Sequence, residues 1–270
     1  MRALEGKKAV IAGVANKQSI AWIISKALHE KGAQLAFLCL GSNLRRVKKL
    51  ARQVDSEIVI TCDVQKDEEI KNAFKVVNSE FDGSLDILVH AIAFANIVDL
   101  GGNFIEVSRS GWTLAIEISA YSLVAFARCV RPMMESAGGG SIITLTFGGG
   151  ELVVQGYNIM GVAKAALNST VRYLAYDLGP YNIRVNAISP GPVKTLSSLM
   201  IEDFETSINL SKTQSSLLRN LTQEDIAGTA IYLASELSSG ITGSIIKLEC
   251  GMDIVRAPSI EHRRINKDNP

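Results

Sequence analysis

An alternation constrains this chain more than any other feature. Short apolar runs recur along it at residues 8–12, 34–40, 58–62, 85–90, 141–146, 184–188 and 244–248. Helical patterns fall between them at 20–31, 44–54, 67–81, 110–134, 157–178 and 222–235. Runs this short and this uniformly apolar suit strands buried on both faces, and helices at this spacing serve as crossovers between parallel strands. The pattern predicts an α/β fold, a single doubly wound domain of Rossmann type. Its seven-stranded parallel sheet would carry helices on both faces. No repeat, low-complexity segment or linker divides the chain. Residues 1–256 are therefore read as one domain and the polar, charged stretch 257–270 as a C-terminal tail.

In such a sheet, ligands lie beyond the carboxyl ends of the strands. The residues that follow the runs include Gly13, Leu40, Asp63, Val64, Ile92, Thr146, Phe147 and Gly191. Each alone is an ordinary turn residue. Together they fall where a dinucleotide would lie. The turn from Gly13 to Ala21 joins a strand to a helix, and free N–H groups at a helix start attract pyrophosphate. It is not G-x-G-x-x-G, however, and a plain strand-to-helix turn explains it about equally well.

Tyr157 and Lys164 stand seven residues apart at the head of a helical pattern. Seven helical steps turn through roughly 700°, within about 20° of two full turns. Both side chains then share one face, with a phenol able to reach a substrate oxygen and an ammonium able to reach ribose hydroxyls. The alternative is a packing tyrosine and a solvated lysine, since the spacing also arises by chance.

Composition excludes several functions. Hydrophobic residues make up 47 % and charged residues 20 % of the 270, as in ordinary soluble globular proteins. The net charge is +1, and no basic patch interleaved with aromatics suggests a nucleic-acid partner. The N-terminal residues lack the apolar core of a signal peptide, and no uninterrupted apolar run reaches bilayer length. Cys39, Cys62, Cys129 and Cys250 form no Cys-x-x-Cys pair and read as reduced thiols. His29, His90 and His262 are too dispersed to suggest a metal site. The expectation is a cytoplasmic protein without a membrane or nucleic-acid partner.

With these motifs in place, the chain resembles the bacterial enoyl-[acyl-carrier-protein] reductases, a divergent branch of the short-chain dehydrogenase/reductase superfamily. The resemblance rests on G-x5-S-I-A at Gly13–Ala21, Cys62-Asp63-Val64 and the segment from Val89 to Ala95. It rests also on Tyr157-Asn158-Ile159-Met160-Gly161-Val162-Ala163-Lys164 and on the segment from Arg184 to Pro192. It spans roughly residues 5–255. The wider superfamily uses Tyr-x3-Lys, where this chain has Gly161.

The resemblance implies a reductase of trans-2-enoyl thioesters on acyl carrier protein, active as a homotetramer in fatty-acid synthesis. Tyr157 would stabilise charge on the thioester oxygen, and Lys164 would hold the nicotinamide ribose. Gly13, Ser19, Ile20, Leu40, Asp63, Val64, Ile92, Val193 and Thr195 would complete the cofactor site. Ala95, Tyr157, Leu196 and Met200 would meet the acyl substrate, the last two from a covering loop at about 196–210. Apolar residues on several faces of the long helices, among them Leu123, Val124, Phe126, Leu167, Val171 and Leu174, are read as surfaces seeking partner subunits.

Three departures bear on this reading. Phe147 occupies the position of the family's second tyrosine and cannot donate a proton, although mycobacterial long-chain members resemble it there. The stretch 149–156 differs from the usual one, and Pro190 replaces an alanine. The cofactor reading is NADH, with NADPH as the alternative. No carboxylate ends the second strand, while Arg45 and Arg46 lie nearby but Leu40 and Gly41 are not basic. Two other functions stay open: a different carbonyl reductase of the superfamily, and a weak or inactive paralogue that retains nucleotide binding.

Overall fold

The structure is a computed structural model describing residues 3–194 and 204–255. Seven strands form one parallel sheet: β1 (Lys8–Ala12), β2 (Gln34–Cys39), β3 (Val59–Thr61), β4 (Ile87–His90), β5 (Gly140–Leu145), β6 (Ile183–Pro190) and β7 (Ile245–Leu248). Their order is β3-β2-β1-β4-β5-β6-β7. The chain winds outward from β1 in one direction and then returns to wind outward from β4 in the other. Between β1 and β4 lies the switch point where such sheets bind ligands.

The helices are α1 (Ile20–Glu30), α2 (Leu44–Ala51), α3 (Asp67–Glu80), α4 (Arg109–Ile116), α5 (Ser122–Ser136), α6 (Asn158–Leu178), α7 (Phe204–Gln214) and α8 (Gln223–Ala234). Successive strand residues point to opposite faces. Ala9 and Ile11 of β1 join Trp22 and Leu28 of α1, Leu50 of α2 and Leu233 of α8 in one core cluster. Val10 and Ala12 join Phe74 of α3, Phe126 of α5 and Leu167 of α6 in the other. Each large side chain fully buried in this way contributes about 1.5–3 kcal/mol. The uniformly apolar runs of the sequence are thus two-faced cores.

Most strand boundaries differ from the sequence reading by one or two residues. β6 differs for a chemical reason. Its ladder with β5 ends at the Leu145–Ile188 pair, while Ala187 and Gly191 donate their N–H groups toward the β7 side. Pro190 therefore points its missing donor at a place where the ladder has already ended, and the strand runs on through it.

The helix expected at 110–134 is broken. A π-turn, Glu117–Tyr121, separates α4 from α5. Within 109–136 an 18-residue window reaches a mean hydropathy of 1.4, but charged residues including Glu117 and Arg128 interrupt the stretch, so it is not an uninterrupted apolar run. More than half of its apolar window, 56 %, is buried inside the fold, so this apolarity serves the core. The same reasoning corrects the partner-seeking faces: Leu123, Phe126, Leu167 and Val171 are buried in this chain's own core. Part of the expected covering loop is also regular structure, since α7 occupies 204–214.

His90, at the end of β4, is wholly buried. Its Nδ1 lies 3.0 Å from Thr144 Oγ1 and its Nε2 2.8 Å from Ser122 Oγ. Burial, with the charge of Lys164 second, pushes its pKa down to about 3 from 6.5. The unfolded chain takes up this proton near pH 6.5 while the folded one does not, so folding stability falls as pH drops from about 6.5 toward 3. Urea denaturation at pH 7.5 and pH 4.5 should show the loss, and in His90→Gln, which keeps a polar group but does not titrate, the loss should shrink by about 2–3 kcal/mol.

Candidate active site

The cofactor side is assembled from turns at the switch point. Gly13 has a φ of 105°, and a Cβ there would sit 2.0 Å from the carbonyl oxygen of Ala91, after β4. Only glycine lets the two loops approach this closely. The Ser19 hydroxyl donates to Asn16 O and accepts from the N–H groups of Ala15 and Asn16 at 3.4 Å. It builds the turn rather than capping α1. The helix start has no side-chain cap and no acidic residue in its first turn, which suits it to a pyrophosphate.

Leu40 follows β2, half exposed, and opens the single turn Gly41–Asn43. Arg46 reaches back to donate to Ala15 O at 3.1 Å. With Lys17 and Lys49 it lines a cavity of about 510 Å³ beside the phosphate turn, in which every charged lining residue is basic. Asp63 shapes the turn after β3: its N–H donates to Glu69 at 2.9 Å, and its carboxylate accepts from Gln65 N at 3.1 Å. Val64 is buried in the core, and Ile92 and Val193 are partly buried against the two clusters. Ala95 packs with Leu100, Ile159 and Met160 in a third cluster that Tyr157 borders. Thr195, Leu196 and Met200 lie outside the described residues.

Tyr157 is the residue just before α6, and Ile159 opens the buried face of that helix. Its ring meets Phe147 edge to face, with centroids 5.0 Å apart. Burial holds the phenol well above its ordinary pKa of 10, so at neutral pH it carries its proton and can donate it to a hydrogen bond. Lys164 is 5 % exposed, and its Nζ donates to Leu145 O at 2.8 Å. One of three donors is thereby used. Burial pulls the ammonium down to a pKa of about 8.

The glycine-rich stretch 148–150 explains why this lysine stands at 164. It forms a turn pressed onto α6. A Cβ on Gly150 would meet the Lys164 carbonyl carbon at 2.8 Å, and one on Gly149 would meet the Tyr157 ring at 2.6 Å. At Gly161 a Cβ would meet Gly149 O at 2.8 Å. The position that holds lysine in the wider pattern is therefore closed to any side chain here, and the next turn of the helix supplies the cation.

The long-range contacts of two residues had no signal in the sequence. Ser119 sits in the π-turn, accepts from Phe94 N at 3.0 Å and donates to Phe94 O at 3.3 Å, pinning the segment after β4. Asn158 adopts a φ of 33°. Neither residue belongs to a recognisable spacing, because their partners lie 25 and more residues away.

The close approach at Gly161 is directly testable. Gly161→Ala should lower stability by about 1–3 kcal/mol through overpacking. Gly228→Ala, in α8 with open space around it, should be neutral or stabilising by up to about 1 kcal/mol. Thermal unfolding of the two variants side by side distinguishes a closed site from a general intolerance of glycine loss.

Residues 13–253 match the protein family described as "Enoyl-(Acyl carrier protein) reductase". The enoyl-[acyl-carrier-protein] reductase [NADH] FabI of Bacillus subtilis is 46 % identical over 254 residues, covering 93 % of this chain and 97 % of that protein. The Bacillus cereus protein of the same name is 45 % identical over 258 residues, 94 % of this chain and all of its own. Among solved structures, the Anaplasma phagocytophilum reductase in complex with NAD superposes with a TM-score of 0.91 at 44 % identity, covering 95 % of this chain and 97 % of that one. The Bacillus cereus reductase with NADP+ and an indole naphthyridinone superposes with a TM-score of 0.91 at 45 % identity, covering 95 % and 100 %.

Proposed function

The chain belongs to the enoyl-[acyl-carrier-protein] reductase family, and we propose that it reduces the trans-2 double bond of enoyl thioesters on acyl carrier protein, with NADH, in fatty-acid synthesis. One observation carries the reading: the partly buried phenol of Tyr157, edge to face with Phe147, and the buried Lys164, bonded to Leu145 O, stand just before and within the first turns of α6, beside the carboxyl end of β5.

Gly13, Ser19 and the start of α1 would hold the pyrophosphate of NADH, and Lys164 the hydroxyls of its nicotinamide ribose. When bound, NADH supplies the hydride that adds to the β carbon of the substrate. Negative charge then develops on the thioester oxygen. Tyr157 donates a hydrogen bond to that oxygen, and in a buried site such a preplaced donor is worth far more than in water. Phe147 has no proton to give. It supports the Tyr157 ring from the side. Lys164 has two donors beyond the one spent on Leu145, and these would reach the hydroxyls of the nicotinamide ribose.

NADPH is the second reading. Lys17, Arg46 and Lys49 make a cationic cavity beside the phosphate turn, where no carboxylate follows β2 to repel a 2′-phosphate. We also infer a cytoplasmic homotetramer. Tyr173 and Tyr176, both largely exposed on α6, favour a partner surface there, and light scattering at micromolar concentration reads the mass.

Steady-state oxidation of NADH, and separately of NADPH, with a trans-2-enoyl thioester tests the reaction. Tyr157→Phe should lower kcat about 10²–10³-fold with nucleotide affinity intact. Lys164→Met should weaken NADH binding about ten- to a hundredfold, the worth of charged hydrogen bonds. The lysine loses its charge as pH rises through about 8, so NADH affinity of the unsubstituted enzyme should decline above that pH and that of Lys164→Met should not. Turnover of a keto thioester but not an enoyl thioester would assign a carbonyl reductase instead. Nucleotide binding without any turnover would leave an inactive paralogue.

A further inference from the structure

Asn158 follows Tyr157 directly and does two unrelated things. Its backbone lies in the left-handed region, with a φ of 33°, at the first residue of α6. Residues with a Cβ pay for this conformation, asparagine less than most. Its side-chain amide donates to Gly101 O at 2.9 Å and Gly102 O at 3.3 Å.

Those carbonyls lie in the segment 96–108 that follows β4. The base of the segment is fixed by Asp99. Its carboxylate accepts from Ser108 N at 3.1 Å, from the Ser108 hydroxyl at 3.2 Å and from the Asn96 amide at 3.4 Å. Asp99 is buried and fills the space over Gly111, where a Cβ would clash with the carboxylate. Near its middle the segment is held by the Asn158 amide. The segment carries the exposed apolar side chains of Ile97, Val98, Phe104 and Ile105, and its Leu100 packs beside Met160 of α6. A single residue thus sets the chain direction beside the phenol and holds the apolar segment facing it.

We propose that Asn158 is a positioning residue that locks the Tyr157 phenol and the 96–108 segment into one unit, so that the acyl chain and the thioester oxygen are placed together. The inference rests on the proposed enoyl reduction and adds a specificity device to it. Backbone and side chain make separable contributions. Asn158→Gly keeps the left-handed turn and loses the clamp. Asn158→Asp tolerates the turn but sets a carboxylate against two carbonyl oxygens. Asn158→Ala loses the clamp and strains the turn.

Each variant should be assayed with a long-chain enoyl thioester and NADH, and its 96–108 segment followed by hydrogen exchange without substrate. The KM for the thioester should rise about fivefold or more in Asn158→Gly and Asn158→Asp, the worth of one hydrogen bond, while the KM for NADH stays within about twofold. Asn158→Ala should show the same rise and, in addition, a kcat about fivefold below that of Asn158→Gly, the cost of a strained non-glycine backbone. Exchange in 96–108 should quicken in all three and stay unchanged in Tyr157→Phe. A thioester KM equal to that of the unsubstituted enzyme in Asn158→Gly and Asn158→Asp overturns the proposal. So does a parallel loss of NADH and thioester binding, which is the mark of a merely structural residue, or an unchanged exchange rate. Failure of the unsubstituted enzyme to reduce any enoyl thioester would instead refute the reaction itself, a result separate from the exchange measurement.

Discussion

The site depends on one buried ammonium. Lys164 gives up nearly all its contact with water and receives in return a single carbonyl, Leu145 O at 2.8 Å. Burying a charge with one partner is costly, and the pKa drawn down to about 8 registers that cost. Two donors are left to be satisfied by whatever binds at the carboxyl end of β5. In the proposed function the incomplete solvation would also be a source of affinity, since ribose hydroxyls completing the shell would recover part of what burial costs. The same charge helps keep His90 neutral one strand away, so the polar interior beneath the site is held in a single protonation state.

This arrangement requires the backbone to come very close to α6. The turn 148–150 lies on the helix at distances that exclude a Cβ at Gly149, Gly150 and Gly161. That packing seals Lys164 from water and sets the Tyr157 ring between Gly149 and Phe147. Gly149 and Gly150, which open the stretch that departs from the usual family pattern, are in the structure its points of contact with α6. Phe147 also acquires a role there. It lacks the hydroxyl of a tyrosine but retains the ring, and the edge-to-face contact needs only the ring.

The two halves of the site are built differently. The cofactor half grows from strand ends and short turns whose positions follow from the sheet. The half proposed for the substrate grows from the segment after β4 and the π-turn at 117–121. Irregular segments pinned by a few side chains, Ser119 on Phe94 and Asp99 on Ser108, can vary without disturbing the sheet. A rigid cofactor platform beside an adjustable substrate wall suits a reaction in which the cofactor is constant and the acyl chain is not.

The sequence by itself determined the strands and the helices, because these depend on periodicities of two and 3.6 residues that local chain geometry imposes. The helical arithmetic from Tyr157 to Lys164 does not carry over, since Tyr157 precedes α6 and Asn158 turns the chain at a φ of 33°. The sequence also exposed the turn at Gly13, where only one residue type suffices. It assigned Leu123, Phe126, Leu167 and Val171 to partner surfaces although they lie in the chain's own core, since hydrophobicity alone does not say which surface will cover it. The strand order, the break of the long helix at the π-turn, the closure of position 161 and the left-handed Asn158 were decided only by the tertiary structure. Each depends on a partner remote in sequence or on a gap between elements, as with the amide of Asn158 and Gly101, 57 residues apart. Such contacts exist only once the sheet has brought the strand ends together.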